Sequence, residues 1–229
     1  MRKIVFDIET CSLPFESLTE SQREYLLHFA EKEKDEVIRA EMINEAVRYT
    51  SLYPFTAKVI SIGIYDIEKD KSFVYYESKV EEEWFSEDDQ IHFKGVSEEN
   101  MIKSFWRIAE VADQVITFNG RNFDVPFLML RSALLQIKPS KNFLKNRFDI
   151  SRHIDLLEQL TFFGVTRKFN LDFYCQSFGI DSPKSKDITG MEVKTLFEAG
   201  RIKEIAIYCS KDVSATFQLY KIWNEYLNF

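Results

Sequence analysis

Two carboxylates directly follow the first apolar run of the chain, in the stretch KIVFDIET at residues 3–10. Alternate side chains of a strand point to the same face, so Asp7 and Glu9 would lie roughly 6–7 Å apart on one face. Two carboxylates that close in a partly dry place repel each other, and one pKa rises unless a cation joins them. A divalent metal ion removes that conflict. An exposed strand end, where water solvates both groups, is the simpler alternative.

The same tripeptide, Asp-Ile-Glu, recurs at residues 66–68 and serves as an internal comparison. Asp66 and Glu68 open a turn rich in charged residues, where a carboxylate needs no partner but water. We therefore expect this copy to belong to a plain hairpin, so that Asp66→Asn would leave any activity unchanged. The context, and not the Asp-x-Glu spacing itself, singles out Asp7 and Glu9.

Further acids lie at predicted element boundaries, and they matter because a hard cation needs several oxygen ligands. Asp124 follows an Asn-Gly turn signal and precedes Pro126, which predicts a helix start and makes an N-cap role the alternative. Asp212 lies on a predicted helix four residues after Tyr208, so the two side chains share a face. A core-facing carboxylate in mid-helix is costly unless it is ligated or paired, although this spacing also arises by chance.

The elements that must position these acids read as strands first and helices interleaved afterwards, which predicts an α/β protein with a mixed sheet. We expect a buried strand at 2–8 and two inserted helices within 17–50, ahead of a second strand at 57–67. The other predicted elements are a strand at 71–78 that closes a hairpin, a polar loop at 79–96, a helix from Ser97, a strand at 114–120, a helix at 125–136, a short strand or helix start at 152–156, and helices near 170–178, 190–199 and 202–227.

Composition narrows the classes of function. The chain has 229 residues, 45% of them apolar, and a net charge of −7, which predicts a folded globular protein with poor non-specific affinity for long duplexes. The three cysteines lack C-x-x-C spacing and are expected to be reduced thiols of a cytoplasmic protein. No stretch approaches the length of a membrane span, so no membrane association is expected. The histidines form no paired zinc motif, and the sequence lacks the phosphate-binding loop of nucleotide triphosphatases.

Three segments, FDIET, NGRNFD and YCSKD, occur in this order with wide gaps between them. Together they resemble the motifs of the DEDD superfamily of 3′→5′ exonucleases, in its tyrosine (DEDDy) class. The chain is most similar to stand-alone bacterial proteins related to the exonuclease domain of family B DNA polymerases. This resemblance spans residue 1 to about residue 220. It implies a ribonuclease H-like fold, a single domain over 1–229, and a helical insertion at 15–55.

The resemblance also implies roles for individual residues. It implies two divalent metal ions, Mg²⁺ or Mn²⁺, bound by four carboxylates: Asp7, Glu9, Asp124 and Asp212. Asp7, expected on the central strand, would bridge both ions. Tyr208 would orient the attacking water, because a phenol with a pKa near 10 is a poor base. The residues that would bind the 3′-terminal nucleotide are Thr10, Asn119 and Phe123.

The expected substrate is the 3′ end of single-stranded or frayed DNA or RNA, with DNA favoured, and a polymerase or repair protein is an expected partner. Two alternatives stay open at this point. One is a non-catalytic nucleic-acid-binding or assembly module on the same fold, and the other is a structure-specific endonuclease. Asp155, near a predicted strand end, is expected to be structural, with a supporting role beside the metal ligands as the alternative.

Overall fold

One mixed sheet organises the computed structural model, which describes residues 1–181 and 192–228. Its seven strands lie in the order β4-β5-β3-β2-β1-β6-β7. The strands are β1 Lys3–Ser12, β2 Ala57–Asp66, β3 Lys71–Glu77, β4 Glu82–Phe85, β5 Ile91–Val96, β6 Gln114–Thr117 and β7 His153–Asp155. Strands β1, β6 and β7 run parallel to one another, as do β3 and β5, whereas β1–β2, β2–β3 and β4–β5 are antiparallel.

Helices cover both faces of this sheet. In the described part of the chain they are α1 Glu20–Leu27, α2 Glu36–Tyr49, α3 Glu98–Val111, α4 Asp124–Leu134, α5 Leu156–Leu160, α6 Leu171–Ser177, α7 Val193–Glu198 and α8 Ile202–Tyr226. On one face Ile4 and Phe6 of β1 pack into a cluster with residues of α3 and α4. On the other face Val5 packs into a cluster that includes Leu219 and Trp223 of α8. The alternation along β1 therefore separates two cores.

Strand β1 is longer than the predicted strand at 2–8. It continues through both carboxylates to Ser12, because β2 pairs with it as far as Ala57. Strand β6 pairs only with Lys3–Val5, so the other edge of β1 has no strand partner beyond Val5 in the described structure. The middle strand of the sheet is β2, and β1 lies beside it. The two carboxylates thus lie within a strand, at an open edge, and not at its end.

The polar loop predicted at 79–96 is wrong, because this segment contains β4 and β5. Glu83 lies in β4, where it bonds His92 and Lys94 of β5. Strand β5 pairs in parallel with β3, which requires a crossover between them. Charged residues on short edge strands weaken the hydrophobic alternation that identifies a strand, so the sequence pattern here resembles a loop.

The two helices predicted within 17–50 are confirmed as α1 and α2. Both begin at side-chain caps: Thr19 accepts from the Gln22 N–H, and Asp35 accepts from the first turn of α2. The segment is anchored to β1 at its end, where the Thr10 hydroxyl donates to the Ser51 carbonyl at 2.7 Å. This helical segment therefore ends against the strand that carries Asp7 and Glu9.

The remaining predicted elements are confirmed with shifted bounds. Helix α3 has Ser97 as its N-cap, with a hydroxyl that accepts from the Asn100 N–H. The segment 152–156 contains both alternatives, a short strand β7 and the start of α5. The helix predicted at 190–199 corresponds to α7, and its first two residues lie outside the described residues. Within the described residues, no helix has the length and apolarity needed to cross a membrane.

Candidate active site

Asp7 and Glu9 lie on the face of β1 that is turned toward α8. Their neighbours on this face, Val5 and Cys11, pack into the clusters that contain residues of α8. Glu9 is buried, with 8% of its surface exposed, and Asp7 is partly buried. The strand therefore holds both carboxylates under the last helix, away from bulk water.

Gly63 of β2 lies directly opposite Asp7 and lets α8 approach the sheet. A Cβ atom at this position would lie 2.8 Å from Cγ2 of Val213 and 3.2 Å from the carbonyl oxygen of Cys209. The second contact is with backbone, which cannot rotate away. A glycine is thus required for α8 to lie this close to the carboxylates.

Helix α8 presents Tyr208 and Asp212 to the same place. The two residues are one helical turn apart, and the Tyr208 hydroxyl donates a hydrogen bond to the Asp212 carboxylate. Cys209 lies between them, with its thiol 3.6 Å from the carbonyl oxygen of Asp7. The helix therefore contacts β1 at the candidate site itself.

Asp124 is the first residue of α4, as the predicted helix start requires, but the capping alternative does not hold for its side chain. The N-cap position is Phe123, and no side chain caps this helix. The Asp124 Oδ1 atom instead accepts from the backbone N–H of Ile8 at 3.1 Å. That N–H lies between the two carboxylates of β1, on the edge that β6 leaves open. Asp124 thus takes the place of the missing strand partner and brings a third carboxylate beside Asp7 and Glu9.

A tight loop between β6 and α4 sets the position of Asp124. Asn119 has φ of 62°, in the left-handed region that asparagine tolerates better than most residues. Gly120 follows, and a Cβ atom there would lie 2.4 Å from Oγ1 of Thr117. The buried Asp155 carboxylate accepts from the backbone N–H groups of Asn119 and Arg121. These bonds fix the loop, so the structural role expected for Asp155 has a physical basis.

The environment of the four acids raises the pKa of each of them. Burial is the largest cause that raises the pKa of Asp7, and the charges of Asp124, Asp212 and Glu9 add to it. The pKa of Glu9 is also raised, mainly by burial and then by the charges of Asp212 and Asp124. Burial raises the pKa of Asp124 to about 7, although the N–H of Ile8 acts against it. Burial likewise raises the pKa of Asp212 to about 7, against the hydrogen bond from Tyr208. Burial is therefore the main cause of the raised pKa values, and repulsion between carboxylates adds to it for Asp7, Glu9 and Asp124.

No lysine or arginine of the described residues forms an ion pair with any of these four carboxylates. Ligand atoms of Asp7, Glu9 and Cys209 all lie within 4.8 Å of one another, which is compact enough to surround one metal ion. Burial raises the pKa of Cys209 well above its ordinary value, and its sulfur is a soft donor. The oxygen atoms are the donors that fit a hard divalent cation.

The three residues predicted to bind the terminal nucleotide lie in three different environments. Asn119 lies in the tight loop, and Phe123 packs against Phe127 with ring centroids 5.7 Å apart. The Thr10 side chain is bonded to Ser51 and lines a cavity of about 270 Å³. A larger groove of about 760 Å³ lies between α1 and α4, but none of the four acids lines it. None of the four acids lines the smaller cavity either, but Thr10, which does line it, directly follows Glu9 in β1.

The second Asp-Ile-Glu copy differs from its prediction in one respect. Asp66 ends β2 beside the predicted turn, but only 1% of its surface is exposed. Its carboxylate is held by Arg2, with Nη2 at 2.7 Å and Nε at 3.1 Å. The expectation that water alone solvates this carboxylate is therefore wrong. The partner is 64 residues away in sequence, so the local pattern carries no signal of it.

Sequence reasoning missed Cys209 and Gly63. The cysteine stands next to Tyr208 in the third motif, but a single thiol has no ligand spacing that would mark it. The glycine lies in an otherwise apolar strand, and an isolated glycine in a strand signals close backbone approach. That signal was available in the sequence and points to the place where α8 contacts β2.

Comparisons with known proteins agree with this geometry. The family described as predicted 3′–5′ exonucleases related to the exonuclease domain of PolB matches residues 53–226. The matched span contains Asp124, Tyr208 and Asp212, whereas Asp7 and Glu9 precede it. A structure of the family B DNA polymerase from the archaeon Pyrobaculum calidifontis superposes with a TM-score of 0.61 at 16% identity, over 98% of this chain and 24% of that one. The predicted fold class, a ribonuclease H-like α/β sheet, is thereby confirmed.

Two curated relatives are DNA polymerases. The polymerase of Thermococcus sp. (strain GE8) is 30% identical over 145 residues, which is 55% of this chain and 8% of the relative. That of Desulfurococcus sp. (strain Tok) is 29% identical over 147 residues, 55% of this chain and 18% of the relative. The chain thus spans less than a fifth of these relatives. With the family match over most of its length, the chain belongs to the DEDD-type family of predicted 3′–5′ exonucleases related to the exonuclease domain of PolB.

Proposed function

We propose that this protein is a metal-dependent 3′→5′ exonuclease that acts on the 3′ end of single-stranded or frayed nucleic acid. One observation carries the proposal. Asp7 and Glu9 of β1 lie close enough to Asp124 of α4 and Asp212 of α8 that the charges of these two raise their pKa values, and no cationic side chain among the described residues pairs with any of the four. A fold does not retain such repulsion without a compensating ligand, unless it accepts a large stability cost.

The cluster fits two divalent cations, Mg²⁺ or Mn²⁺, with the four carboxylates as ligands. Its donors are oxygen atoms, which these ions prefer. Its raised pKa values are those expected of neighbouring carboxylates without a bound cation. When bound, such ions lower the pKa of water and stabilise charge on a leaving oxygen. In hydrolysis, water adds to phosphorus and the bond to the preceding 3′-oxygen breaks, which frees a nucleoside 5′-monophosphate and leaves a new 3′-hydroxyl.

The chain's own residues would position this reaction. Burial, with the nearby charge of Asp212, raises the pKa of Tyr208, so its hydroxyl remains a donor and cannot serve as a base. We assign it the task of aiming the attacking water. Phe123 and Asn119 border Asp124 on a loop that Asp155 fixes, which suits them to hold the terminal nucleotide. Thr10 would contact the strand beside Glu9.

The identity of the substrate rests on the relatives. The curated relatives are DNA polymerases, which favours DNA over RNA and makes a polymerase or repair protein a reasonable partner. The described cysteines Cys11, Cys175 and Cys209 are free and buried, which supports a reducing compartment such as the cytoplasm. We further propose that the chain acts as one domain, with 15–55 as its insertion.

The test uses 5′-labelled single-stranded DNA and RNA oligonucleotides with Mn²⁺ or Mg²⁺. We expect a ladder that shortens from the 3′ end and stops on addition of EDTA. Asp7→Ala and Asp212→Ala should abolish it while circular dichroism reports an intact fold. Asp89→Asn, which removes one charge from an exposed turn, is the matched control. Internal cuts would indicate an endonuclease, and binding without cleavage would indicate a non-catalytic module.

A further inference from the structure

The cavity beside Thr10 has an unusual lining for so acidic a chain. It measures about 270 Å³ and is lined by Thr10 of β1, by the end of α2 and by α7. Two of its lining residues, Arg48 and Lys194, are cationic, and none is acidic. The whole chain carries a net charge of −7, so a cavity with two cations and no carboxylate is a local reversal of charge.

Both cations are available to a ligand. Within the described residues, no carboxylate bonds the Arg48 guanidinium, whose contact is with the face of Tyr49, 5.5 Å from the ring centroid. Within the same described residues, Lys194 has one acidic partner, Glu198, at 3.8 Å. Both side chains are solvent-exposed, so the pair is weak. The hydroxyl group of Thr195 adds a hydrogen-bond donor without charge, whereas the proton of the Thr10 hydroxyl is already donated to Ser51.

The cavity is rigidly attached to the strand of the candidate site. On one side the Thr10 hydroxyl is bonded to Ser51, three residues after Arg48. On the other side Val193, next to Lys194, is buried in a cluster with Cys11 of β1. Thr10 itself follows Glu9, and consecutive Cα atoms are about 3.8 Å apart. The backbone segments that carry the two cations are thus anchored to β1 next to Thr10, on the strand that carries Asp7 and Glu9.

We infer that Arg48 and Lys194 form a phosphate-binding subsite for the linkage immediately 5′ of the scissile phosphate. This inference rests on the proposed function, since it assumes that a 3′-terminal phosphodiester reaches the acid cluster. The negative charge of the acids repels the phosphates of an approaching strand. The two cations of the cavity beside Thr10 would offset this repulsion where the strand must turn into the site. Phosphate contacts of this kind fix the position of a strand without reading its sequence.

The insertion therefore has a specific task in this inference. Arg48 comes from α2, so the segment at 15–55 supplies one of the two cations. Lys194 comes from α7, which packs against β1 through Val193. A strand that enters the cavity would be held by cations from two different helices, and binding should be independent of base identity.

The test measures binding in EDTA at low salt, so that a metal-dependent enzyme cannot cleave the probe. Arg48→Gln and Lys194→Gln should each weaken binding of a 5′-labelled oligonucleotide about 3–10-fold, measured by fluorescence anisotropy. The slope of log Kd against log salt should fall by about 0.7 for each lost contact. Lys103→Gln is the matched control for Lys194, because it removes an exposed lysine that is also paired four residues away. Arg39→Gln on α2 is the control for Arg48.

A neutral methylphosphonate at a single linkage locates the contact. At the linkage immediately 5′ of the terminal one, it should weaken wild-type binding about 5–10-fold and the Arg48→Gln, Lys194→Gln double variant less than twofold. Equal losses for both proteins, or a loss at a different linkage, would overturn the inference. A nucleoside 5′-monophosphate should compete equally with both proteins. If only the wild type responds, the cavity holds the product phosphate, and the inference is wrong.

These results are separable from the proposed function. If the methylphosphonate pattern appears but no strand is shortened with Mn²⁺, the subsite stands and the exonuclease proposal falls. If strands are shortened from the 3′ end but the pattern is absent, the exonuclease proposal stands and the subsite falls.

Discussion

Replacing Asp124 with asparagine should stabilise the metal-free protein, although the side chain is almost fully buried. Burial raises the pKa of this carboxyl from its ordinary 3.8 to about 7 in the folded state. A group whose folded pKa is raised stabilises the fold below its unfolded pKa, and that contribution is lost as the pH rises through the folded pKa. The interval between the two values corresponds to about 4 kcal/mol at pH 8. Asparagine never ionises, and its Oδ1 atom can still accept from the Ile8 N–H.

The assay is thermal unfolding in EDTA, followed by circular dichroism at several pH values. At pH 8 the Asp124→Asn melting temperature should exceed that of the wild type by about 8–16 °C, since 1 kcal/mol shifts Tm about 2–4 °C in a protein of this size. The gap should narrow to about 1–2 kcal/mol at pH 5 and vanish below pH 4. Added Mn²⁺ should reverse the order, because it stabilises the protein that binds it more tightly.

The exposed Asp89→Asn variant should show no such pH dependence, so it separates this effect from a general change in charge. The reasoning is refuted if Asp124→Asn melts below the wild type at pH 8 in EDTA. In that case the ionised Asp124 carboxylate would not be destabilised by its burial in the metal-free fold, and the premise of a metal site would be lost.

Three further predictions concern the surroundings of the cluster. Tyr208→Phe should lower kcat about 10–100-fold with KM within twofold, because it removes an aiming hydrogen bond and little volume; a large change in KM alone would point to substrate binding instead. Gly63→Ala should destabilise the protein by about 1–3 kcal/mol in urea unfolding and also lower activity, because its Cβ would displace α8. Adding Val213→Ala should restore part of both losses. Full tolerance of Gly63→Ala would contradict the packing described. Asp66→Asn should cost about 3 kcal/mol in the same unfolding assay, because it leaves Arg2 unpaired. Activity per folded molecule should nevertheless be unchanged. A catalytic defect would mean that the second Asp-Ile-Glu copy has a role in the site.

The sequence predicts the acids well because each follows a local boundary signal. Asp7 and Glu9 interrupt an apolar run, Asp124 follows an Asn-Gly turn, and Asp212 lies one helical turn after Tyr208. The structure brings these residues together, although their assignment as metal ligands stays a prediction. The identity of the residues that hold them, such as Asp155 under the β6–α4 loop, depends on contacts that local patterns do not contain.

Errors in the prediction have a common physical cause. Strands β4 and β5 were predicted as loop, since edge strands with charged residues lack a clear alternation and their parallel partner is not adjacent in sequence. Asp66 was predicted to be solvated, since its cationic partner comes from the first residues of the chain. Pairing between distant segments decides these features, so a reading of neighbouring residues cannot recover them.

The contact between the Cys209 thiol and the Asp7 carbonyl joins residues 202 positions apart. The first strand and the last helix must therefore meet before the acid cluster exists at all. Closing so long a loop is slow, and in the absence of a cation the meeting brings like charges together. Under the proposed function, bound metal would offset this repulsion and hold β1 and α8 together, and a copy that lacks α8 would lack Tyr208 and Asp212 and could not form the complete site.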